Sequence, residues 1–170
     1  MSDRNALQPD EAPSGHFDTF EHYRQAVGDL LAHAERTLSI FDPDLSHTGL
    51  EHKQSVALLE TLCRKTTQPD AIRILLIAPS HLQKHCPRLL RLVEQQAHRI
   101  SIRLVSNPGV QDLAPFMIAD QAHLLTRFHP DTARGKLALD DASQCAQPGL
   151  TFEDLWMASK PGPTGMTLGL

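Results

Sequence analysis

Ile72 to Ala78, IRILLIA, limits what this chain can become more than any other stretch. An alternating strand leaves one face to water. This run is apolar at every position except Arg73, so it reads as a central strand covered on both faces. Thr66 to Asp70, with Pro69, breaks the chain before it, and Pro79-Ser80 ends it. A strand of that kind needs helical layers around it, which places the chain in the α/β class.

The flanking segments supply those layers. Phe20, Tyr23, Val27, Leu30, Leu31 and Ala34 recur at helical spacing and predict a helix over 18–36, opened by an Asp18/Glu21 capping box. Thr37 to Asp42, TLSIFD, predicts a strand that Asp42-Pro43-Asp44 ends. A helix over 50–65 carries Val56, Leu59, Leu62 and Cys63 on one face, with Ser46 or Thr48 as its cap. Residues 81–98 form a helix that restarts at Pro87, and Ile100 to Val105 alternates as a third strand. After the turn at Asn107-Pro108-Gly109, a hairpin of strands 115–119 and 122–128 is joined at Asp120-Gln121. Lys136 to Leu139 reads as a short edge strand. Asp141 to Ala146 reads as a short helix interrupted at Pro148-Gly149. Thr151 starts a final helix with Phe152, Leu155 and Trp156.

Helices alternating with strands imply crossover connections. The expected architecture is therefore a mixed, mostly parallel sheet flanked by helices, in one domain over 16–159. Residues 1–15 are expected to be a disordered tail, and 160–170 an extended one with Met166, Leu168 and Leu170 free to dock.

Composition excludes several classes of function. Hydrophobic residues at 41% suffice for a core, and a net charge of −4 argues against a general nucleic-acid binder. Lys84, Arg88, Arg91, Arg99 and Arg103 oppose the single acid Glu94, a basic segment read as a solvated helix face. Cys63, Cys86 and Cys145 are widely spaced and read as reduced thiols. No secretion signal and no apolar run near the ~18 residues of a membrane span occur, so a cytoplasmic protein is expected. His81 and His85 share one helical face with Cys86 adjacent. The position of a zinc-protease glutamate is Leu82, so they read as solvated histidines and no metal is expected. No G-x-G-x-x-G, P-loop or G-x-S-x-G motif points to a cofactor, and none is expected.

The element order, the strand end Phe41-Asp42-Pro43-Asp44-Leu45, the hairpin with Asp120 at its tip and the closing Phe152-Glu153-Asp154-Leu155-Trp156 together resemble one half of the phospholipase D superfamily. More narrowly, the chain is similar to a group of small bacterial proteins of unknown function placed beside it. Enzymes of the superfamily carry H-x-K-x-x-x-x-D followed by a G-S-x-N type segment. Their His forms a phosphohistidine and their Lys neutralises phosphate charge. Matching Asp120 to that Asp puts Pro115 at the Lys position and Leu113 at the His position, and neither can do the chemistry. The later segment falls near Arg127-Phe128-His129-Pro130, without Gly, Ser or Asn.

The expectation is a non-catalytic phospholipase D-like domain, a binding or assembly module with no catalytic residues. Single-motif members of the superfamily pair across their active-site faces, which implies a homodimer. The alternative is a binder or hydrolase of a small phosphate-containing ligand in a repurposed cleft. Asp42, Asp44, His47, Asp120, His123 and Arg127 are its candidate residues. Filling of that cleft by Phe116 and Met117 would exclude the alternative.

Overall fold

A computed structural model describes residues 14–163 of the chain. The elements run β1 (Gly15–Phe17), α1 (Phe20–His33), β2 (Leu38–Asp42), α2 (Lys53–Lys65), β3 (Ile72–Leu76), α3 (Ser80–His85), α4 (Pro87–Gln95) and β4 (Ile100–Leu104). There follow β5 (Phe116–Ala119), β6 (His123–Arg127), β7 (Gly135–Ala138), α5 (Ala142–Met157) and β8 (Lys160–Pro161). They build one mixed sheet in the order β1-β7-β6-β5-β2-β3-β4-β8. The readings of Met1 to Pro13 and of Met166, Leu168 and Leu170 fall outside the described residues.

The sheet is mixed, as expected, but its parallel part is smaller than expected. Only β2-β3 and β3-β4 pair in parallel, and the other five pairings are antiparallel. The reason is connection length. Crossover helices α2, α3 and α4 enforce parallel pairing, whereas the short links after β5 and β6 permit only antiparallel neighbours. β3 lies between β2 and β4, in the covered position that its apolar run requires.

Alternation along the strands sorts the core onto two faces. Leu38, Ile40, Ile72, Ile74 and Met117 pack under α1 to α4. Phe41, Leu75, Phe116, Ile118 and Leu124 face the other way, against Cys145, Phe152 and Leu155 of α5. Phe116 and Met117 are thus core residues on opposite faces and fill no cleft.

Several boundaries differ from expectation. Thr19, not Asp18, caps α1 by accepting from the His22 N–H. His52 precedes α2 without a side-chain cap, because the helix starts only at Lys53, beyond the reach of Ser46 and of Thr48, whose hydroxyl oxygen accepts from the Leu50 N–H instead. The edge strand is β1, which pairs outside β7. That pairing needs Gly135, where an added Cβ would lie 2.1 Å from the Thr126 carbonyl oxygen and 2.7 Å from the Phe17 ring. Helix α5 runs through Pro148 without breaking. Proline removes one hydrogen bond. Burial of Cys145 on one side of it and of Phe152 and Leu155 on the other holds the helix together.

Arg73, the charged residue in β3, turns toward α5. It pairs with Glu153 and lies 4.9 Å and 5.3 Å from the Phe152 and Trp156 ring centres. Phe152 is fully buried while Trp156 is half-buried beside it. Phe152→Ala is therefore expected to cost about 3–5 kcal/mol in chemical denaturation. Trp156→Ala, half outside the core, should cost roughly half as much. Equal costs would place the two rings in the same environment.

Candidate functional site

At the carboxyl end of β2 the chain turns through Asp42-Pro43-Asp44-Leu45. The Asp42 carboxylate organises that turn. Its Oδ2 accepts from the Leu45 N–H at 2.6 Å and the Asp44 N–H at 3.1 Å. Leu45 is held at φ +72°, a conformation uncommon for a leucine, and is fully buried. Asp42 Oδ1 meets Nη2 of Arg127, from the end of β6, at 3.4 Å, and both side chains are nearly inaccessible. Arg127 Nη1 donates to the Pro130 and Thr132 carbonyls at 2.8 and 3.1 Å. The rings of Tyr23 and Phe20 lie 5.0 and 5.6 Å from its guanidinium carbon. Burial pushes the Tyr23 hydroxyl well above its usual range, with the Asp42 charge adding to it. Burial also raises the Asp42 carboxyl, against the opposing pull of the Leu45 N–H and Arg127.

A cleft of about 290 Å³ opens beside this pair, where the ends of β2 and β3 meet. Asp44, His47, Ala78, Gln111, Arg127 and Asp131 are among its walls. Asp44 accepts from the Ser46 N–H at 2.9 Å, and the His47 ring stacks on Phe20 at 4.1 Å. Four of the six expected residues, Asp42, Asp44, His47 and Arg127, therefore meet at one end of the sheet.

The other two do not. In the antiparallel pairing of β2 with β5, Phe41 faces Phe116 and Leu38 faces Ala119, so Asp120 and His123 lie at the opposite end. Asp120 binds backbone. Its oxygens accept from the N–H groups of Glu35, Arg36 and Thr37 at 2.9, 2.7 and 3.0 Å. It also starts the turn, with φ +57° at both Asp120 and Gln121. His123 is buried, with Nδ1 accepting from the Asp140 N–H at 2.9 Å. Their assignment to a ligand site is corrected on this geometry: neither side chain reaches the cleft. The positions matched to the superfamily's His and Lys do lie at the cleft end. There Leu113 packs on the α5-side core, and the Pro115 carbonyl accepts from the Arg127 N–H at 3.1 Å.

Sequence reasoning missed Tyr23 and Phe20 as partners of Arg127, since both read as part of a helical stripe. It also missed Glu51. A carboxylate oxygen of Glu51, a ring nitrogen of His81 and Cys86 Sγ lie within 4.8 Å of one another. His85 does share a face with His81, the ring centres lying 5.0 Å apart, but it is exposed and outside this group. Burial, reinforced by the Glu51 charge, pushes the Cys86 thiol up to about 11.

The chain belongs to the DUF7931 family. That family, described as a domain of unknown function, matches residues 19–166. No curated protein matches the chain by sequence. Among solved structures it is similar to the phospholipase D family member Nuc from Salmonella typhimurium, at 12% identity and TM-score 0.63. The match covers 91% of this chain and 100% of that one. It is also similar to TrmBL2, an archaeal chromatin protein with a novel mode of DNA binding, at 11% identity and TM-score 0.67, over 92% of this chain. The chain spans only 57% of that protein. Phosphatidylserine synthase from Haemophilus influenzae aligns at 13% identity and TM-score 0.57, over 86% of this chain and 38% of the synthase. The fold is therefore phospholipase D-like. Among the described residues no helix is long and apolar enough to cross a membrane.

Two substitutions separate the ends of the sheet. Asp42→Ala leaves Arg127 buried without its counter-charge and is expected to cost about 3–5 kcal/mol in urea denaturation. Asp120→Ala strips three N–H groups of their acceptor and should cost about 1–3 kcal/mol, the turn fold otherwise persisting. Asp120→Gly, which relieves the positive φ, should recover only part of that loss.

Proposed function

We propose that this chain is a non-catalytic phospholipase D-like domain acting as a binding or assembly module, and that it self-associates through the cleft end of its sheet. The observation that carries this reading is the state of Arg127. It is the one Arg or Lys among the residues described as lining the cleft. Its charge is matched by Asp42, and Nη1 is spent on two carbonyls. A phosphate entering the cleft would meet Asp44 and Asp131 with no unmatched cation beside them, which weighs against a phosphate binder or hydrolase. Leu113 and Pro115 supply neither nucleophile nor charge at the places where the superfamily's chemistry needs them.

Self-association is supported by Phe128, a half-exposed aromatic that follows Arg127 directly and leads into Pro130 and Asp131 of the cleft wall. A large ring at a site rim is a natural anchor for an interface. A nucleic-acid partner has less support. In the basic segment Arg99 donates to the Thr67 and Gln68 carbonyls, and Arg103 to Ser159. The DNA binding of the archaeal neighbour belongs to that protein. A cytoplasmic location fits the three buried, unpaired cysteines.

The purified chain is expected to hydrolyse bis(4-nitrophenyl) phosphate no faster than buffer, and phosphate should leave its melting temperature unchanged. Turnover that disappears in an Asp44→Asn, His47→Ala variant would overturn the non-catalytic reading. In sedimentation velocity the wild-type chain should run as a dimer and Phe128→Asp as a monomer. A wild-type monomer at high micromolar concentration would sink the self-association.

A further inference from the structure

Behind the cleft, two segments that the parallel strands carry to the same edge face each other. One is the end of the loop that follows β2, which reaches Glu51 just before α2. The other follows β3 and runs through α3 to Cys86, at the α3–α4 junction. Between them a carboxylate oxygen of Glu51, a ring nitrogen of His81 and Cys86 Sγ come within 4.8 Å of one another. In the same two side chains Glu51 Oε2 and His81 Nε2 are buried without a hydrogen-bond partner. Buried acceptors and donors are nearly always paired, so two orphans converging on one thiol need an explanation.

A cation supplies one. The three donors are one oxygen, one nitrogen and one sulfur, the ligand set of zinc and related borderline divalent metals and not of calcium or magnesium. Metal–ligand bonds of about 2.0–2.3 Å put neighbouring donors of a tetrahedral centre roughly 3.3–3.8 Å apart, so a small contraction of three side chains closes the site. A hydrogen-bonded core would instead bring these atoms to within about 3.5 Å in pairs with good angles. Glu51 Oε1 faces away, toward His52 Nε2 at 3.6 Å, which steadies the carboxylate from outside.

We propose that Glu51, His81 and Cys86 form a binding site for a zinc-class divalent transition-metal ion. The ion binds Cys86 as thiolate, and the thiol proton leaves to the buffer as the metal–sulfur bond forms. Carboxylate and thiolate together neutralise the two positive charges. The site ties the loop before α2 to the α3–α4 junction, two segments that the sheet does not otherwise connect.

The full-length chain, stripped with chelator and titrated with cobalt(II), tests this. The expected result is a thiolate-to-cobalt charge-transfer band that saturates at one ion per chain and is displaced by zinc. Cys86→Ser should abolish the band. His81→Ala and Glu51→Gln should each weaken cobalt binding by at least about 10-fold. A Cys63→Ser, Cys145→Ser double variant should keep the band. Far-ultraviolet circular dichroism checks that each variant is folded. If Cys86→Ser does not fold, the His81 and Glu51 variants decide, since each keeps the thiol. No band, a band that survives Cys86→Ser, one lost with the other two cysteines, or unchanged affinity in both His81→Ala and Glu51→Gln overturns the proposal.

Discussion

The pair of Asp42 and Arg127 is the contact on which the cleft end of this molecule depends. It joins three parts that the sheet alone leaves loose: the end of β2, the loop through Leu45, and the end of β6 with the turn after it. Removing two charges from water costs several kcal/mol per ion, and their attraction offsets that only when the remaining hydrogen-bonding capacity is filled. Here two backbone N–H groups, two carbonyls and two aromatic rings do most of the filling. The Arg127 Nε–H, buried without an acceptor, is the exception. The pair is better understood as fixing one conformation than as adding net stability. It holds Leu45 in a backbone region that a leucine rarely enters, and so shapes the walls on either side of the cleft.

Much of the architecture was legible because burial writes itself into periodicity. The seven apolar-rich residues from Ile72 placed β3 inside the sheet with both faces covered, and the stripe from Phe20 to Leu31 placed α1. What stayed hidden was decided by distant partners. Nothing local says that Pro148 will sit inside a helix. The helix survives because Cys145, Phe152 and Leu155 press on one face of the sheet. Nor does Gly15-His16-Phe17 read as a strand. It becomes one only because Gly135 lets Phe17 approach β7 closely.

The candidate site shows the same limit more sharply. Asp42, Asp44, His47 and Arg127 come together because they lie at one end of neighbouring strands, where α/β sheets form clefts. Asp120 and His123 were drawn into the group by their place in the hairpin. A strand of four residues spans roughly 13 Å, so the two ends of one hairpin belong to different edges of the sheet. Glu51 could not be found at all by spacing, since thirty positions, helix α2 and strand β3 separate it from His81. Helical periodicity placed His81 beside His85, as the fold does, and said nothing of Glu51 on the facing loop.

The two ends of the hairpin also explain how a phospholipase D-like fold can stand without the catalytic pair. Asp120 accepts three backbone N–H groups where α1 hands over to β2, so its removal weakens the domain whether or not any ligand is bound. Positions 113 and 115 carry no such duty. Leu113 is one apolar contact at the margin of the α5-side core, and Pro115 is a buried ring whose carbonyl accepts from the Arg127 N–H and the Thr126 hydroxyl. A lysine at 115 would bring a second cation toward Arg127, whose one counter-charge is already matched. The aspartate therefore follows from the demands of folding. A histidine and a lysine at the other two positions would be required only by chemistry, and the backbone closes the sheet equally well over a leucine and a proline.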